Sequence, residues 1–272
     1  MKYLQELLYM LKKATTEYKD ACLVTITNSS DASTIGSKAV FFENGDCFPG
    51  NGFPLFLEDS LSGKCLALLN KGKSRAVVFD EDGVNFECFI DVYPSPSHLI
   101  IAGAGHVCEP VAKLGCMLGF YVTVIDDRPE FANTERFPDV DKVVCESFLR
   151  YFKNVPLTCK TYILLLTRGH RFDVLSLQEL LGRDSQPAYI GMIGSRRRIS
   201  GVFEQLKEEF PVERLSQIYT PVGLDIGAET PEEIAVSIMA EILKVKNGRS
   251  GESISKDIRK LAPLGFRELE KK

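Results

Sequence analysis

The sequence is short of several features that would have named a function class outright. Its eight cysteines stand at 22, 47, 65, 88, 108, 116, 145 and 159 with no C-x-x-C pair. In a chain of this length that pattern points to reduced thiols in a cytoplasmic protein, most of them small buried apolar residues, rather than a disulfide frame. No apolar run approaches the roughly 20 residues of a membrane-spanning helix. The opening Met1-Lys2-Tyr3-Leu4-Gln5-Glu6 has no signal-peptide apolar region and carries an early acid. Basic excess is missing too: the net charge is −4, so the chain has no nucleic-acid footprint. There is no internal repeat and no low-complexity tract. What remains is an ordinary globular composition, 44% apolar and 26% charged, over 272 residues. That length suits one large or two modest domains.

Apolar spacing divides the chain. Leu4, Leu7, Leu8 and Leu11 recur at helical intervals over residues 2–19. Strands are expected at Ala21–Thr27 and Ala39–Phe42, the latter turned at Asn44-Gly45 and followed by a loop at Pro49-Gly50-Asn51-Gly52. Residues 53–69 favour a helix with a break near Ser62-Gly63, and Ala76–Phe79 with Phe86–Val92 form a hairpin turned at Asp82-Gly83. Tyr93-Pro94-Ser95-Pro96-Ser97 continues neither element and marks a boundary. The expectation is therefore a small α+β domain over 1–93, an α/β domain over 94–248 and a polar tail over 249–272. In the second domain, strands alternate with helices, which predicts a mostly parallel sheet covered on both faces.

The second domain opens with the most informative stretch. Leu99–Ala102 reads as a strand ending at Gly103-Ala104-Gly105, followed by a helical period over Val107–Leu118. A second strand, Tyr121–Ile125, then closes on Asp126-Asp127. Strand, glycine turn, helix, strand and acid is the layout of a dinucleotide-binding unit, although Cys108 occupies the third glycine position. Gly103 allows a tight turn and Gly105 a close approach to phosphate, while the helix start offers unpaired N–H groups. Asp126 or Asp127 can accept from a ribose hydroxyl; Arg128 beside them can pair with a phosphate or with an acid.

Ligands of open parallel sheets bind beyond the carboxyl ends of the strands. Besides the glycine turn, that edge collects Arg168-Gly169-His170, Gly194-Ser195-Arg196 and Gly223-Leu224-Asp225. Each has a plain structural reading: His106 and His170 as carbonyl partners, Asp173 as a helix-start acid. Ser195 is expected to cap a helix whose first turn is Arg196-Arg197-Arg198 and whose acids come late, the reverse of what the helix dipole favours. A bound phosphate would reverse that penalty, since arginine pairs bidentately with phosphate. Thr230-Pro231-Glu232-Glu233 has the form of a capping box with proline at the first helical position.

Four segments together carry a family resemblance: H-L-I-I-A-G-A-G-H-V from His98, V-T-V-I-D-D-R-P-E-F-A from Val122, Y-I-G-M-I-G-S-R-R-R from Tyr189 and P-V-G-L-D-I-G-A-E-T-P-E-E-I from Pro221. In this order they resemble the XdhC/CoxI family of accessory proteins of xanthine dehydrogenase and related molybdenum hydroxylases. The resemblance covers His98 to about Gly248. It implies a Rossmann-type C-terminal domain that binds molybdenum cofactor (molybdopterin), protects it, and assists its sulfuration and insertion into a client hydroxylase. It also implies a cysteine desulfurase partner and a homodimer. The cofactor-binding residues it suggests are Gly103, Gly105, His106, Asp126, Asp127, Arg168, His170, Gly194, Ser195 and Arg196, with no metal ligands and no catalytic residue assigned. The first 93 residues resemble the family's N-terminal domain more faintly, through Leu23–Ser30, Gly36-Ser37-Lys38 and Phe86–Asp91. Pro49-Gly50-Asn51-Gly52 stands where the family has a glycine-rich run followed by an acid, and the C-G-G motif expected before the closing strand is absent. If sulfur handling depends on those features, this chain has lost or altered it.

Two other classes share the same residues. One is an NAD(P)-dependent oxidoreductase with His106 or His170 as proton donor. The other is a nucleotide-sensing module without chemistry. Cys108 at a helix start could also carry a lowered pKa and act as a nucleophile toward sulfur, against the plainer reading of a buried inert thiol.

Overall fold

The computed structural model describes residues 2–16 and 19–255. They divide between Pro96 and Ser97 into two compact units. The first contains α1 (Lys2–Thr16), β1 (Ala21–Ser29), β2 (Lys38–Phe42), β3 (Cys47–Pro49), α2 (Glu58–Lys71), β4 (Arg75–Glu81) and β5 (Val84–Tyr93). Its antiparallel sheet has the order β3-β2-β1-β5-β4. Alternation along β1 sends Cys22, Val24 and Ile26 toward α2, where they pack with Leu61, Cys65 and Leu69. Ala21 and Leu23 face the other way and meet Leu7, Leu11 and Ala14 of α1.

Three expectations for this unit change. The helix expected over 53–69 begins only at Glu58, after a 3-10 turn at Leu55–Leu57 that follows Pro54. It runs unbroken through Gly63 to a left-handed cap at Gly72. The stretch read as turn and loop around Pro49 forms β3, with Cys47 paired to Phe41 and Phe48 to Val40. The opening helix is described to Thr16; of the polar tail, residues 256–272 lie outside the described residues.

The second unit runs through β6 (His98–Ala102), α3 (Cys108–Met117), β7 (Tyr121–Asp126), β8 (Lys142–Cys145), α4 (Phe148–Asn154), β9 (Thr161–Leu165), α5 (His170–Leu181), β10 (Tyr189–Met192), α6 (Arg196–Leu206), α7 (Val212–Leu215), β11 (Ile218–Tyr219) and α8 (Pro231–Lys246). Its six strands lie in the order β11-β10-β9-β6-β7-β8, every pair parallel. The chain steps outward from β6 to β8, then returns to β9 on the other side. The strand order therefore reverses between β6 and β9, where open sheets of this kind leave a crevice. Helices α3 and α8 cover one face over Leu99, Ile101, Val122 and Leu164. The other face, with Ile100, Ile125, Ile163 and Leu165, is covered by α4, α5 and α6. The unit is thus an α/β fold with a Rossmann-type parallel sheet, as expected.

Three helices differ from the expectation, one of them the short α7, which the sequence reading did not include. α4 was not anticipated; Ser147 caps it by accepting from the Arg150 N–H, and Phe148, Tyr151 and Phe152 bury one face. α5 begins at His170, four residues before the expected start, which puts His170 in its first turn. The capping box at Thr230 and Glu233 forms as read.

The close helix–strand contact expected of a third glycine occurs elsewhere. Cys108 is fully buried, and the tight approach falls at Gly115 of α3. A Cβ there would lie 2.8 Å from Leu99 Cδ2 and 3.0 Å from Val122 Cγ2. Alanine is the better helix former by about 1 kcal/mol, but overpacking a core costs about 1–3 kcal/mol. Gly115→Ala should therefore lose about 1 kcal/mol in urea unfolding. Gly63→Ala in α2, where a Cβ meets nothing within 4 Å, should gain about 0.5–1 kcal/mol. Equal effects from the two substitutions would contradict the assignment.

Candidate functional site

The two glycines of the turn after β6 have different duties. Gly103 adopts φ +108°, and a Cβ there would sit 2.4 Å from the Leu166 carbonyl oxygen. It is glycine so that β6 can turn against β9, and no ligand is needed to explain it. The Gly103 N–H donates to Ile125 O at 2.8 Å, and the Ala104 N–H donates to Asp126 Oδ2 at 2.8 Å. From the far side, Arg136 Nη1 donates to Ala104 O at 3.0 Å and to Phe131 O at 3.3 Å, while its Nη2 is paired with Glu109. Gly105 is the opposite case: a Cβ there would meet nothing within 4 Å. The N–H groups of Gly105, His106 and Val107 have no partner among the described residues. Unpaired amides at a helix start, beside the open space at Gly105, suit a phosphate group.

The acid pair splits in the same way. Asp126 is fully buried, so the expectation that it accepts from a ribose is corrected. Its Oδ1 accepts from the Arg128 backbone N–H (3.1 Å) and from Nε (2.8 Å), and its Oδ2 accepts from Nη2 (3.0 Å) and from Ala104. Burial alone would push this carboxyl up; the donors from Arg128 and Ala104 outweigh it and hold it below the usual aspartate range. Arg128 in turn lies over the Phe131 ring at 3.5 Å. Asp127 is half-buried and faces Arg168 in a fork, Nη1 to Oδ1 at 2.5 Å and Nη2 to Oδ2 at 2.9 Å. The Arg168 hydrogen bonds are the main reason that its carboxyl also lies below the usual range. Arg168 Nη1 reaches Asp126 Oδ1 at 3.8 Å, and its guanidinium lies over the Phe172 ring at 4.3 Å.

A second network lies beside the first. Thr167 Oγ1 donates to Asp173 Oδ1 at 2.6 Å. Arg198 donates from Nε to Asp173 Oδ2 at 2.7 Å and from Nη2 to the Thr167 carbonyl at 2.9 Å. Asp173 is fully buried, and burial raises its carboxyl pKa against the pull of Thr167 and Arg198. The three arginines of α6 are therefore not equivalent: Arg198 is an interior anchor, and its partner Asp173 does far more than decorate a helix start. Ser195 caps α6 as expected, accepting from the Arg198 N–H. Arg196 and Arg197 are exposed, and their side chains have no hydrogen bond or ion pair among the described residues. Gly194 precedes them at the end of β10, and the His170 ring packs over Gly201 of α6, 3.2 Å from where a Cβ would be.

The expected site residues thus fall into three sets. Gly103, Asp126, Asp127 and Arg168 join one network; His170, Gly194 and Ser195 frame the second; Gly105, His106 and Arg196 stay open. The networks meet at consecutive residues, Thr167 and Arg168. Arg128 takes the acid rather than the phosphate of its two expected partners. Arg136 was missed, and Asp173 and Arg198 were read only as a helix-start acid and as one of a basic cluster; only contacts between segments distant in sequence assign these three. Cys108 does not serve as a low-pKa thiol: it is buried, and burial pushes it up.

The family described as the XdhC Rossmann domain matches residues 99–242, just over half of the chain. The chain is 35% identical over 179 residues to the uncharacterized protein YqeB of Escherichia coli (strain K12), covering 62% of this chain and 32% of that protein. It is also 35% identical over 158 residues to a probable xanthine dehydrogenase subunit of Bacillus subtilis (strain 168), covering 57% of this chain and 44% of the relative. The chain thus spans less than half the length of these relatives. A crystal structure described as a xanthine dehydrogenase from Bacillus halodurans shares the fold, with a TM-score of 0.52, 20% identity, and coverage of 89% of this chain and 96% of the other. Among the described residues, no helix is long and apolar enough to cross a membrane, and no group of side chains could hold a metal ion.

The two aspartates should separate in stability measurements. Breaking a buried, saturated ion pair costs about 3 kcal/mol, so Asp126→Asn should lose that much in urea unfolding. Asp127→Asn removes an exposed pair and should lose less than about 1 kcal/mol. A depressed carboxyl contributes stability that is complete above the unfolded-state pKa, near 3.8, and is lost as pH falls through the folded-state value. Wild-type stability should therefore fall below about pH 4, and Asp126→Asn should flatten that fall. A larger loss from Asp127→Asn would overturn the division of roles.

Proposed function

The chain belongs to the XdhC family, and from that premise we propose that it is an accessory protein that binds molybdenum cofactor and assists its sulfuration and insertion into a xanthine dehydrogenase-type hydroxylase. The observation that carries the reading is the turn at Gly105. Three amides without a partner among the described residues stand at a turn where a Cβ on Gly105 would meet open space, and the cofactor presents a phosphate on its pterin. Gly105, His106 and Val107 would take that phosphate, with Arg168, Arg196 and the Ser195 turn along the same sheet edge. Bound there, the cofactor supplies the molybdenum centre that its client uses. Asp126 fixes the turn from behind, and Arg198 fixes the neighbouring one, so the amide donors need no rearrangement to receive an anion. The name of the Bacillus subtilis relative supports a client of the xanthine dehydrogenase type.

Cys108 is buried and its thiol is pushed up, so a cysteine desulfurase is the sulfur source in this reading, not that thiol. A homodimer in the cytoplasm completes the proposal. An NAD(P)-dependent oxidoreductase or a nucleotide sensor fits less well. The acid that would hold an adenosine ribose, Asp126, already has four donors on its two oxygens.

Protein purified from cells that make molybdenum cofactor should release molybdenum and a fluorescent pterin on denaturation. Gly105→Ala should reduce both about tenfold or more, with an unchanged unfolding midpoint. NAD and NADP should raise the thermal midpoint no more than inorganic pyrophosphate does, because a ligand that binds only the native state raises it in proportion to its affinity and the ribose finds no free acid. Absence of molybdenum and pterin, together with strong stabilisation by NAD, would sink the proposal.

A further inference from the structure

The Asp127–Arg168 pair occupies a particular place. Asp127 follows the last residue of β7, and Arg168 lies just beyond β9, while β6 runs between those strands. Neighbouring strands are about 4.8 Å apart, so the pair spans about 10 Å across the end of β6. The end of β6 is the glycine turn, and the gap between β6 and β9 is where the strand order reverses. The fork therefore lies across the crevice in which an anion would settle on the Gly105 amides.

Its parts are unequally held. Arg168 is positioned from both sides, by the Phe172 ring at 4.3 Å beneath it and by the Asp126 carboxylate at 3.8 Å. These contacts would remain if Asp127 swung away. Asp127 contributes a carboxylate whose two oxygens match the guanidinium fork as two phosphate oxygens would. The Arg168 hydrogen bonds keep that carboxylate ionised through neutral and mildly acidic pH. A proton is therefore no means of opening the pair, whereas a competing anion is. Because the pair is partly exposed, its cost of exchange is small.

We propose that Asp127 is a built-in competitor for the ligand's phosphate: it holds Arg168 across the crevice until a phosphate takes its place on the guanidinium. This inference rests on the reading that the crevice receives a phosphate-bearing cofactor. It adds a selection rule. A ligand with a phosphate or pyrophosphate can displace Asp127 and gain both Arg168 and the Gly105 amides. The same ring system without phosphate gains neither. No bond is made or broken in the exchange, only one anion for another on a fixed cation.

The test uses the full chain and inorganic pyrophosphate as probe, titrated calorimetrically at low salt. Asp127→Asn should tighten pyrophosphate binding about tenfold. Arg168→Gln should weaken binding, and combining it with Asp127→Asn should abolish the gain. A pterin without phosphate should bind wild type and Asp127→Asn alike. If Asp127→Asn binds equally or more weakly while Gly105→Ala still reduces affinity, the competitor role is wrong and the phosphate site stands. If neither wild type nor any variant binds pyrophosphate, both fall. Unfolding midpoints control for folding, and Asp127→Ser replaces Asp127→Asn should the latter not fold.

Discussion

Four donors converge on the two oxygens of Asp126, and the sheet edge is arranged around that buried carboxylate. A charge sealed from water is tolerable only when fully paired and hydrogen-bonded. Meeting that condition draws in both the Ala104 amide and the Arg128 side chain. The first act fastens the glycine turn to the neighbouring strand. The second sets the direction of the chain beyond β7, where Arg128 lies over Phe131. Arg136 then closes the turn from its other side through Ala104 O. The turn is held by its neighbours before any ligand arrives.

That arrangement separates scaffold from ligand groups. Donors needed for the fold are already used: Gly103 by Ile125, Ala104 by Asp126, Arg198 by Asp173. Donors left open are those at Gly105, His106, Val107, Arg196 and Arg197. Arg168 belongs to both groups, since its partner Asp127 is exposed enough to yield. Recognition of the proposed anion would rely on the placement of these open donors rather than on long-range attraction, since the chain carries a net charge of −4.

Much of this was legible in the sequence, and the rest was hidden for definable reasons. The alternation of strands and helices after Pro96 gave the parallel sheet, because buried parallel strands read as continuous apolar runs. Ser195 and Thr230 were legible as caps, because a cap is a local bond between residues three apart. Chain context decided other cases. Asp126 and Asp127 are adjacent in sequence, and only the strand pleat, which turns successive side chains to opposite sides, divides them into a buried anchor and a half-buried partner. The triplet Arg196-Arg197-Arg198 read as one basic cluster, yet its third member turns inward to Asp173, 25 positions away in sequence. β3 escaped notice because three residues with a proline carry little strand signal until β2 offers its edge.

The central claim is that the open amides after β6, and not the hydrogen-bonded ones, receive the ligand's phosphate. Backbone amide resonances of the labelled protein, followed during a pyrophosphate titration, test it most directly. Saturable shifts are expected at Gly105, His106 and Val107, with Gly103 and Ala104 held nearly still by Ile125 and Asp126. Shifts that fall on Gly103 and Ala104 instead, or that leave Gly105 unmoved at saturating pyrophosphate, would contradict it.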